Sequence, residues 1–200
     1  MDASWKTIHA AREWGRWPSE EIVAALCRRW RPQARTGVHL LDLGCGAGAV
    51  TWFAAYEGWT ITAIDGSEDA VTRCQALLSK NNLLDRANVF AADFTNPLPW
   101  PAATFDGVVD NLSLCHNPLP EIKSTLAEIH RVLKPGGLFI TRAFGPGTSR
   151  ETLCNSGNVT LASADEWTEL LADFSDLEIC TAHVDRPHAI ERFTITCRRP

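Results

Sequence analysis

What the sequence lacks narrows it first. No run of about 20 apolar residues occurs among its 200, so it contains no stretch suited to cross a membrane as a helix. The opening "MDASWKTIHAAREW" has no apolar core of the kind a signal peptide carries, and a soluble cytoplasmic protein is expected. There is no CxxC pair. The seven cysteines (Cys27, Cys45, Cys74, Cys115, Cys154, Cys180 and Cys197) are odd in number and scattered, which argues against a disulfide framework and against structural zinc; no metal site is expected. Cys45 reads as a small buried filler rather than a reactive thiol. Basic charge is also scarce: Lys and Arg number 19 against 24 Asp and Glu, for a formal charge of −5. A face able to neutralise many phosphates is not expected, so nucleic acid is a poor candidate partner. Repeats and low-complexity segments are missing too. With 45% hydrophobic residues, the chain suits one domain with a core on both faces of a sheet.

What is present is organised around "HLLDLGCGAGAV", residues 39–50. Val38, Leu40, Leu41 and Leu43 surround Asp42 in a run too apolar to have one wet face, which reads as a central parallel strand. Gly44, Gly46 and Gly48 then end the strand, because residues without Cβ take positive φ and let backbone N–H groups approach a ligand. The segment "AVTWFAAYEG" is helix-compatible and closes at Gly58. A β-branched strand, "WTITAID", ends at Asp65. Ser67 is placed to cap the helix "EDAVTRCQALLSK". A third strand, "NVFAAD", ends at Asp93, and the proline-rich "FTNPLPWPAAT" reads as a loop. Strand four is "FDGVVD". Pro120 suits the first turn of the helix "EIKSTLAEIHRVL", which is expected to stop at the Pro135-Gly136-Gly137 turn before strand five, "LFITRAF".

Ser163 and Glu166 form an S-x-x-E capping box ahead of "ADEWTELLADF". "DLEICTAHV" and "AIERFTITCRR" follow with no helix between them, so these last two strands should be neighbours or a hairpin. Upstream, "EEIVAALCRRW" is an amphipathic helix introduced by Pro18 and Ser19. The whole is expected to be an α/β doubly wound, mostly parallel seven-stranded sheet with helices on both faces, binding its ligand at the carboxyl ends of the strands.

Four strand ends carry aspartates: Asp42, Asp65, Asp93 and Asp110. Each alone suits a turn former or a helix cap; as a set around one rim they suit a ligand with several hydroxyl, amino or amide donors. Asp42 stands out, since a carboxylate inside an apolar run is costly unless something pairs with it. Gly44, Gly46 and Ala49 also fit the dinucleotide fingerprint, with Asp65 near the distance of a ribose-binding acid. Asp42 would crowd a pyrophosphate with negative charge, however, and the Asp93-Phe94 pair and the paired terminal strands point to a ligand with a cationic amine and no phosphate.

The segments "LLDLGCGAG", "AIDGS", "AADF" and "LKPGGLFI", in this order and spacing, resemble the class I methyltransferases that use S-adenosyl-L-methionine, over roughly residues 36–145. The ending is similar to that family's antiparallel closing hairpin. The resemblance implies a cap or substrate segment at 1–35, a cofactor-binding core at 36–145, and a variable loop, helix and hairpin at 146–200. It implies that Asp42 orients the methionine amine while the chain at Gly44 and Gly46 passes beneath the methionyl part. It further implies that Asp65 binds the ribose hydroxyls, with Gly66 and Ser67 flanking ribose or adenine. Asp93 would accept from the adenine amino group with Phe94 against the ring, and Asn111 and Leu112 would line the sulfonium end.

Methyl transfer from a sulfonium asks the protein mainly to align and dehydrate the reactants, with a base needed only if the acceptor arrives protonated. In "DNLSLCHNP", His116 is the candidate base, because histidine titrates near neutrality; helix capping is its structural alternative. "DNLS" is not the proline-rich aromatic motif found after strand four in amino- and base-methylating members. A small-molecule acceptor methylated on oxygen or nitrogen is therefore expected. Trp14, Arg16 and Trp17, with His9 and Glu13, lie in a segment that often closes over the site in this family, and they are the candidate substrate residues. Two other readings stay open: a non-catalytic S-adenosylmethionine-binding protein, and an NAD(P)-dependent oxidoreductase. Oligomeric state is left open.

Overall fold

The computed structural model describes residues 17–31, 37–149, 153, 158–185 and 188–200. Its centre is a seven-stranded sheet: β1 (His39–Leu43), β2 (Thr60–Asp65), β3 (Ala87–Ala91), β4 (Phe105–Asn111), β5 (Leu133–Phe144), β6 (Ser175–Val184) and β7 (Ile190–Arg198). The order across the sheet is β3-β2-β1-β4-β5-β7-β6. The first five strands are parallel, and β7 runs antiparallel between β5 and β6. The expected doubly wound sheet is therefore present, and its last two strands pair as expected. Strand order reverses between β1 and β4, and the carboxyl ends of the strands at such a switch point are where open α/β sheets bind their ligands.

Five helices complete the described chain: α1 (Glu20–Trp30), α2 (Ala49–Tyr56), α3 (Glu68–Lys80), α4 (Leu119–Val132) and α5 (Ala164–Leu170). Their ends follow local chemistry. Ser19, Ser67 and Ser163 cap α1, α3 and α5, and the capping box with Glu166 is complete on both sides. Helix α1 carries Glu20 and Glu21 in its first turn and Arg28 and Arg29 in its last, each complementing the helix dipole. It buries Ile22, Leu26 and Trp30, spaced four apart on one face.

Adjacent residues of β1 point to opposite faces, and both faces are buried, which is why the strand is an unbroken apolar run. Leu40 joins Ile22, Trp30, Trp59, Ile61 and Ile140 in one core; Leu41 and Leu43 join Phe105, Ile122, Phe139 and Trp167 in the other. By that register, Asp42 and Asn111 share the first face, whereas Asp110 lies on the second.

Two expected boundaries move. Helix α5 stops at Leu170, with only Trp167 buried in it. The Pro135-Gly136-Gly137 segment is not a turn before a strand but a bulge within β5: pairing with β4 jumps from Phe105–Leu133 to Gly107–Leu138. The chain end secures this bulge, because Gly136 N donates to Arg199 O and Arg199 N donates to Gly137 O.

Candidate functional site

The candidate site lies where the loops after β1, β2 and β4 meet. After β1, Gly44, Gly46 and Gly48 all take positive φ, as the spacing requires. A Cβ on Gly44 would lie 2.2 Å from Ser113 Oγ, so the loop after β4 packs directly on this glycine. Ser113 Oγ donates to Gly44 O at 3.0 Å and locks the two loops together. Cys45 is buried, and its thiol is pushed well above its usual pKa by a hydrogen bond with Cys74, with burial adding to the effect; it is a filler, not a nucleophile.

The partner that Asp42 needs is Thr51. The Thr51 hydroxyl donates to Asp42 Oδ2 at 2.7 Å, and the Thr51 backbone amide also supports the carboxylate. Helix α2 has no side-chain cap from Gly48, so Asp42 serves from the neighbouring strand as the anion at its N-terminus. Burial, together with the negative charges of Asp110 and Asp65, still raises the Asp42 pKa to about 7.

Asp65 ends β2 and spans two loops. Its Oδ2 accepts the Gly46 amide at 2.9 Å and its Oδ1 accepts the Ser67 amide at 2.8 Å. A carboxylate offers about four acceptor positions, so two remain for ligand hydroxyls. Ser67 is the cap of α3, accepting from Ala70 N, and Gly66 lies between Asp65 and Ser67.

Asp93 lies two residues past β3, where its Oδ1 accepts both the amide and the hydroxyl of Thr95. Phe94 is buried in the core beside Gly44 rather than displayed as an open platform. Asp110 is not a rim acid. Fully buried on the other face, it accepts the amides of Ser113 and Leu114 and the Thr141 hydroxyl at 2.6 Å, and thereby shapes the loop after β4. Burial raises its pKa to about 6. The expected rim of four acids is thus divided: Asp42 is buried against Thr51, Asp65 ties the loops after β1 and β2, Asp93 accepts from Thr95 in the loop after β3, and Asp110 braces the opposite face.

Leu112 adopts φ 66°, an uncommon conformation for a branched side chain, at the first residue after β4. Its amide donates to Arg142 O, and Arg142 Nη1 donates to Asn111 Oδ1 at 3.0 Å. Arg142 is a candidate that the sequence pattern does not reveal, since only the β4–β5 register brings it to Asn111.

His116 lies in a short 3-10 turn, Leu114–His116, with its ring edge-on to Phe144. Burial lowers its pKa from 6.5 to about 4, so it is neutral near pH 7 rather than poised to titrate there. Trp17 is largely exposed and packs edge-on against Trp52. Trp14, Arg16, His9 and Glu13 lie outside the described residues. Among the described residues, no group of three or more His, Cys, Asp or Glu side chains is placed to hold a metal ion, and no helix is long and apolar enough to cross a membrane.

Residues 40–137 match the family model described as "Methyltransferase domain". The chain is 37% identical over 123 residues to 24-methylenesterol C-methyltransferase 2 of Oryza sativa subsp. japonica, covering 61% of this chain and 32% of that protein. It spans between 27% and 32% of the length of the first curated relatives it matches. Among solved structures, phosphoethanolamine N-methyltransferase 2 of Haemonchus contortus in complex with S-adenosyl-L-methionine superposes with a TM-score of 0.71 at 18% identity, covering 89% of this chain and 52% of that one. The [4+2]-cyclase SpnF superposes with a TM-score of 0.71 at 19% identity, covering 98% of this chain and 92% of that one. At these identities the structural likeness establishes the fold alone.

Proposed function

We propose, since the chain belongs to the class I S-adenosylmethionine-dependent methyltransferases, that it transfers a methyl group from S-adenosylmethionine to a small-molecule acceptor. The observation that carries this reading is Asp65, whose two oxygens tie the loops after β1 and β2 around one carboxylate with acceptor capacity left over. Residues of the candidate site fit the cofactor chemically. Asp42 offers a carboxyl acceptor to an amine, whose positive charge would favour its ionised form, Gly44 and Gly46 bring bare backbone close, and Asp65 suits a pair of vicinal hydroxyls. Gly66 and Ser67 would flank the nucleoside, Asp93 would accept from the adenine amino group, and Asn111 and Leu112 would bound the sulfonium end. Phe94 would support that wall from the core.

The sulfonium supplies an activated methyl group; the chain's own work is to hold, orient and dry the reactants. His116 remains the proposed base. Its imidazole is unprotonated throughout the neutral range, but the burial that lowers its pKa to about 4 also makes it a weaker base than an exposed histidine, so the role requires an acceptor that shifts this value upward on binding. Trp14, Arg16 and Trp17 are proposed to contact the acceptor, and transfer to oxygen or nitrogen is the proposed outcome. Carbon is the second reading, favoured by the sterol C-methyltransferases among the relatives.

Calorimetric titration with S-adenosylhomocysteine tests the cofactor assignment, and no binding at millimolar ligand would refute it. Release of S-adenosylhomocysteine across a metabolite library tests the activity. A protein that binds the cofactor yet methylates nothing would be a binding protein instead. Nuclear magnetic resonance of the product made with labelled methyl donor separates oxygen, nitrogen and carbon as the methylated atom.

A further inference from the structure

Beside the proposed methyl-transfer position lies a pair of arginines that the cofactor does not require. Arg142 is on β5 and Arg192 on β7; register places both, with Asn111 and Asp42, on the face covered by α1. The Arg142 side chain is only 7% exposed. Among the described residues its guanidinium makes one hydrogen bond, from Nη1 to Asn111, and its Nε has no hydrogen-bond partner. Arg192 Nε is likewise buried with no partner among the described residues. The acid facing them is Glu21 of α1, whose Oε2 lies 3.8 Å from Arg142 Nη2, beyond hydrogen-bond distance. Glu21 is itself half in solvent.

A buried guanidinium with unused donors is costly, because its lost hydration is not repaid by bonds within the protein. Among the described residues, Glu21 is the one acid that acts on this pair, so two guanidiniums face one carboxylate there; the Arg142 pKa is lowered by its burial, with Arg192 adding to that effect and Glu21 opposing it. A singly charged anion of fork geometry would close both the charge and the donor deficit.

We propose that Arg142 and Arg192 form an acceptor subsite for a carboxylate, so that the methyl acceptor is a small carboxylic acid. The Arg142–Asn111 hydrogen bond then links recognition of that carboxylate to the residue preceding Leu112 at the sulfonium end. This inference rests on the methyltransferase reading for what lies beside the subsite, and it narrows that reading to an acidic substrate.

The test uses the full chain saturated with S-adenosylhomocysteine, titrated with benzoate and with its neutral counterpart benzamide. Benzoate is expected to bind at least 10-fold more tightly. Arg192→Gln should erase that preference. Glu21→Gln, a change at a half-exposed residue that removes the competing acid, should tighten benzoate several-fold. Neither variant should change S-adenosylhomocysteine affinity. Equal binding of benzoate and benzamide, or a preference that survives Arg192→Gln, would overturn the subsite while leaving the cofactor assignment intact. Failure of S-adenosylhomocysteine to bind in the first titration would instead overturn the methyltransferase reading.

Discussion

The Thr51 hydroxyl donates to Asp42 Oδ2 at 2.7 Å, joining the first turn of α2 to the interior of β1 where both residues are buried. One bond thereby satisfies a carboxylate in an apolar strand and caps a helix whose own N-cap is a glycine. It also holds the intervening glycine loop at both ends.

Thr51→Val keeps the shape of the side chain and removes the donor. A buried group left without its partner costs about 1–3 kcal/mol, so a clear drop in melting temperature is expected. S-adenosylhomocysteine affinity should fall as well, since the loop between the two residues loses an anchor. A melting temperature within 1 °C, on the order of experimental error given the few degrees expected per kcal/mol, would show that the bond contributes nothing.

The pH dependence of stability has a predictable sign. The Asp42 pKa is raised from 3.8 to about 7 in the folded chain, so the folded state holds a proton there that the unfolded state has lost. Its contribution is fully present below the unfolded value and is lost as pH rises toward 7. Asp42→Asn cannot ionise. The melting temperature of the variant relative to wild type should therefore climb between about pH 4 and 7 and then level off. Melts across that range decide it; a constant offset would mean that Asp42 is not held protonated.

Gly44→Ala puts a Cβ 2.2 Å from Ser113 Oγ and 2.4 Å from Ser113 Cβ, at a φ of +67°. Both the loss of space and the backbone conformation oppose it, and strained backbone alone costs on the order of 1–3 kcal/mol. Ser113→Gly relieves only the first. In a double-mutant cycle the two changes should couple favourably without restoring wild-type stability. Full restoration would assign the whole effect to crowding, and no coupling would mean that the two loops are not in contact.

Strands, helix caps and the closing antiparallel pair could be read from the residues because each depends on neighbours in sequence: Ser67 caps the helix that follows it, and Ser163 reaches Glu166 three residues on. The site was only partly readable because it depends on register. Nothing local joins Asp42 to Thr51, or Asn111 to Arg142 across 31 residues. The aspartates at 42 and 110 look alike in sequence, yet strand parity sends them to opposite faces. Phe94 looked available for stacking because its burial depends on where Gly44 leaves room. The β5 bulge is not legible in the sequence because Pro135-Gly136-Gly137 has the composition of a turn, and only pairing with Arg199 makes it part of the sheet.

Asp65→Ala removes an acceptor that serves both the protein and the proposed ribose. The amides of Gly46 and Ser67 lose their partner, so a stability loss should accompany weaker binding. Asp65→Asn retains one acceptor and should recover part of the stability. Losing bonds to a charged acceptor costs about 1.5–3 kcal/mol, or roughly 10- to 150-fold in S-adenosylhomocysteine affinity. Calorimetry and melting on both variants separate the two roles. Unchanged affinity in a folded Asp65→Asn protein would remove Asp65 from the cofactor site.

His116→Ala tests the proposed base. General-base assistance is typically worth about 10² to 10⁴ in rate, and the variant should lose at least the lower of these in kcat with cofactor affinity unchanged. The pH profile carries the sharper signature. Because burial lowers the His116 pKa to about 4, wild-type turnover should show no ionisation of this residue at neutral pH. It should decline only as acid protonates the ring. The same shift affects stability: the folded value lies below the unfolded 6.5, so this contribution is complete above that pH and is lost as pH falls toward 4. Asp42 and Asp110 act in the opposite direction over an overlapping range, so the His116 part is read from the difference between wild-type and His116→Ala melts. A variant with near-normal turnover at every pH would leave alignment and drying to account for catalysis. A wild-type profile breaking near pH 6.5 would place the ring in water, where it could not occupy the packed position beside Phe144.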